Sequence, residues 1–216
     1  MRKTRFIHTT RQSKRKLLVI IVASRVEHRK KTRGPTPLYK IDKQNLINKQ
    51  IELLNILNGE IIVSLGFLFD KVVNQLPENI RVVENLFFDS TNDVEDIRLG
   101  LNNFKSDSLL VIDGAVLPSK SGLSKINFEE SSVIVSQETD FVSVFEHDNY
   151  VTNFHYDKNN KSRWSSIAYF TGQEFKLFKQ LCCRENNNKI VHELMNEIIN
   201  QSGKFKVITD NKTVKL

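Results

Sequence analysis

The sequence predicts an α/β domain with a Rossmann-like, mostly parallel central sheet, helices on both faces, and antiparallel additions in the C-terminal half. Three observations carry that reading. Leu17–Ala23 is seven consecutive apolar residues, rich in Val and Ile and free of charge, as a strand buried on both faces requires. As far as Asp113, such runs alternate with segments of helical periodicity, the order of right-handed βαβ units. Beyond Gly114, strand-like segments follow one another at short spacing, which only antiparallel pairing allows.

Residues 1–16 mix Arg and Lys with Thr, Ser, Gln and His and show no apolar periodicity, so a flexible basic arm that orders on a partner is expected there. The domain proper is expected over 17–209 and a polar tail over 210–216. After the first strand a polar loop closes on Pro35-Thr36-Pro37, and Leu38–Ile41 reads as a short extended piece. Asn45 stands in the N-cap position of a helix. Leu46, Ile47, Gln50, Ile51, Leu53, Leu54 and Leu57 form its stripe, which ends at Asn58-Gly59. Strands are predicted at Glu60–Leu65, Ile80–Val83 and Ser108–Asp113, with helices at Asp70–Leu76 and Val94–Phe104 between them. Then come strands at Ser131–Ser136, Phe141–Glu146, Tyr150–Tyr156 and Arg163–Phe170, the last two joined by the turn Asp157-Lys158-Asn159-Asn160. Helices at Gly172–Cys183 and Lys189–Asn200 and a strand at Phe205–Thr209 complete the chain. With no internal repeat and no low-complexity linker, one two-part domain is preferred.

Several function classes lack support. No apolar run approaches the ~20 residues of a membrane span, so the expected setting is the cytoplasm or a particle assembled there. Cys182 and Cys183 are neighbours and are expected to be reduced thiols. The five histidines, His8, His28, His147, His155 and His192, have no zinc-ligand spacing. Ser131 and Ser132 lack the Gly-x-Ser-x-Gly context of a hydrolase. Asp140, Glu146 and Asp148 read as solvated charges at strand ends. Trp164, Tyr169 and Phe170 are expected to pack the sheet against the final helices, and Phe87 and Phe88 to lie in the core.

Charge is unevenly placed. The chain carries +7, yet residues 1–34 alone hold twelve basic side chains against Glu27, a net +11, which leaves the remainder at −4. Arg2, Lys3, Arg5, Arg11, Lys14, Arg15, Lys16, Arg25, Arg29, Lys30, Lys31 and Arg33 form this head, and an anionic partner, a protein surface or a nucleic acid, is expected for it. A merely solvated basic segment is the competing reading. Phosphate contacts of this type give affinity without sequence preference and weaken steeply with salt.

The order of elements, the loop closed by Pro35-Thr36-Pro37-Leu38, Glu84-Asn85 followed by Ser90-Thr91-Asn92-Asp93, and the strand ending Val111-Ile112-Asp113-Gly114 resemble nucleotidyltransferases that make sugar nucleotides. The small choline-phosphate cytidylyltransferases are nearest in length. The resemblance spans Leu17 to Val207 and implies a nucleotide-binding loop over Ser24, Arg25 and Arg29, with Asn92 and Asp113 beside the nucleotide. It also implies a magnesium ion held by two aspartates, because the attacking phosphate and the α-phosphate repel each other.

Five positions, in four pieces of the site, depart from that pattern. Arg25 and Glu27 stand where the loop's glycines belong, Thr36 replaces its Lys, Ala115 follows Asp113-Gly114 in place of a second aspartate, and Asn196 falls at the other metal-ligand position. The expectation is a scaffold that has lost catalysis, with no resident metal or cofactor, acting as a binding or structural component through its basic head. Asn, Lys and Ile bias suits an AT-rich genome such as a phage's, which brings a virion or assembly role into view. The alternative is an active enzyme joining a nucleoside triphosphate to a sugar phosphate or phosphocholine and releasing pyrophosphate. It would use Arg29, Lys30 and Asp113 with Mg²⁺.

Overall fold

The computed structural model describes residues 16–25, 34–137 and 142–216. β1 (Leu17–Ala23) is buried along its length, and its side chains alternate between two cores. Leu18, Ile20 and Val22 enter one, and Leu17, Val19, Ile21 and Ala23 the other, as the two-residue period of a central strand dictates.

A 3₁₀ turn at Thr36–Leu38 leads into the small hairpin of β2 (Lys40–Ile41) and β3 (Gln44–Asn45). Asp42 and Lys43 between them both have positive φ, the turn that matches strand twist. Next come α1 (Leu46–Leu54), β4 (Glu60–Leu65), α2 (Phe69–Val73), β5 (Arg81–Glu84), α3 (Asp93–Asn102) and β6 (Ser108–Asp113). β7 (Val116–Leu117) and α4 (Lys120–Ser124) follow, then β8 (Ser132–Ser136), β9 (Ser143–His147), β10 (Tyr150–His155) and β11 (Arg163–Phe170). The chain ends with α5 (Gly172–Leu181), α6 (Val191–Asn200), β12 (Lys206–Thr209) and β13 (Val214–Lys215).

Nine strands form one sheet in the order β5-β4-β1-β6-β11-β8-β12-β10-β9. β5, β4, β1 and β6 are parallel, β11 runs antiparallel between β6 and β8, and β12 is parallel to β8. Helices α3, α5 and α6 cover one face through Val94, Ile97, Phe175, Phe178, Leu194 and Ile198. Helices α1, α2 and α4 cover the other through Ile47, Ile51, Leu54, Val72 and Leu123. No helix among the described residues is long and apolar enough to cross a membrane.

The structure differs from the sequence reading mainly where elements are too short to show a period. β2 falls within the extended piece read over Leu38–Ile41, but neither the two-residue strands β3, β7 and β13 nor the five-residue α4 was expected. The segment 210–216, read as a polar tail, contains β13 paired with β7, and Asp210 and Thr213 in it are buried. Phe87, expected in the core, is 64% exposed next to Leu86, on the turn that follows β5.

Candidate functional site

The carboxyl ends of parallel strands are where such sheets place ligands. There the ends of β1 and β6 open onto a cavity of about 430 Å³. Arg25 enters it from β1, Asp113, Gly114 and Ala115 from β6, Asp93 from the first position of α3, and Lys215 from β13. Thr36 and Pro37 close one side.

The turn after β6 is held tightly. The Gly114 amide donates to the Val22 carbonyl at 2.7 Å, and a Cβ at Gly114 would sit 2.7 Å from the Ala23 Cβ, closer than side chains pack. Gln50, fully buried on α1, donates through Nε2 to the carbonyls of Asp113 and Val116. The carboxylate of Asp113 is thereby aimed into the cavity. Its Oδ1 accepts from the Ala115 amide at 2.8 Å and its Oδ2 from the Lys215 Nζ at 3.1 Å.

Asp93 forms the second acid–base pair, with its Oδ1 2.8 Å from Arg25 Nη2. Burial pushes its carboxyl from an ordinary 3.8 up to about 6. Arg25 opposes that rise, Asp113 and Asp96 add to it, and Lys215 opposes it in turn. One helical turn on, Asp96 is fully buried and accepts from Ser24 Oγ at 2.7 Å, Ser64 Oγ at 2.5 Å and Asn85 Nδ2 at 3.3 Å. Its pKa is raised by burial, against the pull of those hydrogen bonds. This cluster pins the start of the loop after β1 to β4 and α3.

The far wall is aromatic. His192 on α6 has ring neighbours Tyr156 at 5.9 Å, Trp164 at 6.1 Å and Phe154 at 6.4 Å, and burial lowers its pKa. A neutral imidazole therefore faces the cavity at neutral pH. Ser166 lines the same wall at φ 57°, inside the bulge where β11 shifts register against β8 between Trp164 and Ile167.

The residues predicted for the site divide into three groups. Arg25, Thr36 and Asp113 line the cavity. Ser24 does not, because its hydroxyl is spent on Asp96. Asn92 is the N-cap residue of α3, but its amide donates to the Asn188 carbonyl and its backbone amide to that of Asn187, tying α3 to the loop before α6. Asn196, put at a metal-ligand position by the resemblance, clamps the Phe154 backbone, accepting from its amide at 2.9 Å and donating to its carbonyl at 3.0 Å. Glu27, Arg29, Lys30, Lys31 and Arg33 lie outside the described residues, as do Arg2, Lys3, Arg5, Arg11, Lys14 and Arg15. Lys16 is exposed at the opposite end of β1 from Arg25.

The magnesium site implied by resemblance does not fit these residues. Both oxygens of Asp113 are engaged, Asn196 faces a backbone, and among the described residues no three His, Cys, Asp or Glu side chains converge. Sequence reasoning missed Asp93, Lys215, His192 and Tyr156. Only Asp93 carried a signal, as the residue after the singled-out Asn92.

No family model matches the chain, and no curated protein does. Solved structures do match. The inositol-1-phosphate CTP transferase of T. maritima superposes with a TM-score of 0.73 at 17% identity, covering 94% of this chain and 90% of that one. The CTP:phosphocholine cytidylyltransferase of Streptococcus pneumoniae gives 0.72 at 16% identity, with 93% of each chain covered. The nucleoside-diphosphate-sugar pyrophosphorylase of Vibrio cholerae gives 0.69 at 12%, covering 92% of this chain and 94% of that one. Identity this low establishes architecture alone, and the chain has the nucleotidyltransferase fold.

Proposed function

We propose that this chain is a binding or assembly component built on a nucleotidyltransferase frame, without metal-dependent nucleotidyl transfer. The observation that supports it best is the Lys215 ammonium 3.1 Å from Asp113, the neighbouring carboxylate that could stand in for the aspartate missing at Ala115. Neutralising that carboxylate from within removes the charge a divalent ion needs. The test is incubation with each nucleoside triphosphate, Mg²⁺ and a panel of phosphorylated acceptors. No pyrophosphate above background is expected; release that disappears in Asp113→Ala would overturn the reading.

The basic head extends this proposal. Residues 1–33 supply the charge for an anionic partner, protein surface or nucleic acid, in the cytoplasm or in a particle assembled there. Lys16 and Arg25 stand at opposite ends of β1, roughly 30 Å apart at the rise of a strand. Deleting residues 1–16 and raising salt should each weaken partner binding; binding indifferent to both removes the idea.

The alternative, an active transferase, draws on a different observation. The cavity keeps Asp113 at the end of β6 and Arg25 at the end of β1, where an incoming phosphate would meet them. The same pyrophosphate assay decides between the two readings.

A further inference from the structure

We infer that the chain pairs with a second copy of itself through the turn after β5 and the cleft beside it, Phe87 of each copy lying on the partner's Arg184. The inference goes beyond the reading above and does not rest on it.

Leu86 and Phe87 are the most exposed large apolar side chains among the described residues, at 70% and 64%. Such side chains scattered singly need no explanation, but an adjacent pair on a stiff turn marks a contact surface. The turn is stiff because its polar groups are engaged with one another. The Phe87 amide donates to Asn85 Oδ1 at 3.0 Å, and the Phe87 carbonyl accepts from the amides of Ser90 and Thr91 at 3.0 and 2.9 Å and from Thr91 Oγ1 at 2.7 Å. Asn85 is buried and donates on to Thr91 Oγ1 and to Asp96. Anchors fixed before contact lose little freedom on binding.

A cleft of about 400 Å³ lies beside them. One wall is the turn, with Phe87, Ser90 and Thr91, and the other is the loop after α5, with Arg184, Asn187 and Asn188. Asn92 ties the two walls together through its bonds to the carbonyls of Asn187 and Asn188. On α3, Arg98 lines the cleft with its guanidinium clamped to Glu95, Nε 2.7 Å from one carboxylate oxygen and Nη2 2.6 Å from the other.

Shape and charge single out a second copy as the occupant. Protruding anchors and a recess stand side by side on one patch, as an isologous contact requires. A twofold axis running along the cleft sets the turn wall of each copy against the loop wall of the other. Asp89 on the turn and Arg184 on the loop are both exposed, and neither has an ion pair among the described residues. Across that axis they meet twice as opposite charges. Phe87 comes onto a guanidinium, a contact that aromatic rings favour, and aromatic side chains with arginine are where binding energy concentrates.

Sedimentation velocity of the full-length protein between about 1 and 100 μM, a range of weak to firm association, tests this. Wild type should pass from monomer to dimer and no further, because a twofold contact closes on itself. Phe87→Ser should weaken the dimer about 30-fold or more, the loss expected of a central anchor. Arg184→Glu should weaken it about 10-fold or more by setting like charges together, and the double exchange of Arg184→Glu with Asp89→Arg should recover most of that loss. Phe145→Ser on β9 should leave the dimer as it is.

A wild type that stays monomeric throughout would overturn the inference and leave the patch to a different protein. So would a dimer that Phe87→Ser leaves intact, one indifferent to Arg184→Glu, or no recovery in the double exchange. Should Phe87→Ser fail to fold by circular dichroism, Leu86→Ser takes its place with the same expected loss. Pyrophosphate release from a nucleoside triphosphate would sink the non-catalytic reading and leave the dimer standing; a monomer that releases none would do the reverse.

Discussion

Replacing Asp93 with Asn should change how stability depends on pH, with a sign set by burial. The folded carboxyl titrates at about 6 against an ordinary 3.8, so folding favours its protonated form. Its contribution is fully present below about pH 4 and is lost as pH rises through about 6. Roughly two pKa units correspond to about 3 kcal/mol. The side chain is 30% exposed, and solvent screening brings the working figure to about 2 kcal/mol. Urea unfolding of wild type and Asp93→Asn at pH 4, 5, 6 and 7 measures the difference. Wild type should lose about 2 kcal/mol relative to the variant across that range, and a carboxyl carbon titration should place the midpoint near 6. A flat difference curve would refute the reasoning. A wild type that gains on the variant with rising pH would show the Arg25 pair outweighing burial.

Asp96→Ala should cost about 3 kcal/mol or more, since it strips the acceptor from Ser24, Ser64 and Asn85 at about 1–3 kcal/mol for each buried donor, not fully additive; an unchanged urea midpoint would contradict it. Asn196→Ala should lose about 1–2 kcal/mol with its two bonds to Phe154. Asn196→Asp should gain no Mn²⁺; an ion bound there would restore the metal-ligand alignment. Cys183 should react with a thiol reagent well before Cys182 at pH 8, because burial pushes the Cys182 thiol up to about 12. Labelling at equal rates would mean that Cys182 is not enclosed in the native state.

The frame was legible because its strands are long and apolar. β1, β4, β6 and β11 begin and end where hydropathy placed them, since a strand buried on both faces writes its limits directly into composition. Helix ends were less legible. The helix predicted to end at Leu76 stops at Val73, because 3₁₀-type bonds from Gln75 to Val72 and Leu76 to Val73 continue the turn without the helix. Asp113 was legible as the end of an apolar run, and Arg25 as a charge just past another. Trp164 was read as packing at the sheet–helix junction. It does pack there, and the bulge beside it also turns that wall toward the cavity.

The sequence alone determined which segments must be buried and in what order, and with them the layered architecture, because solvent sorts side chains by local pattern. It also determined the imbalance of charge between head and body. Only the tertiary structure decided which charges meet. Lys215 lies 102 residues from Asp113, Arg25 pairs with Asp93 across two intervening helices, and no local period encodes either approach. Whether a carboxylate at the end of β6 faces an ion or an ammonium depends on a two-residue strand whose register is set by backbone hydrogen bonds, which every sequence carries alike.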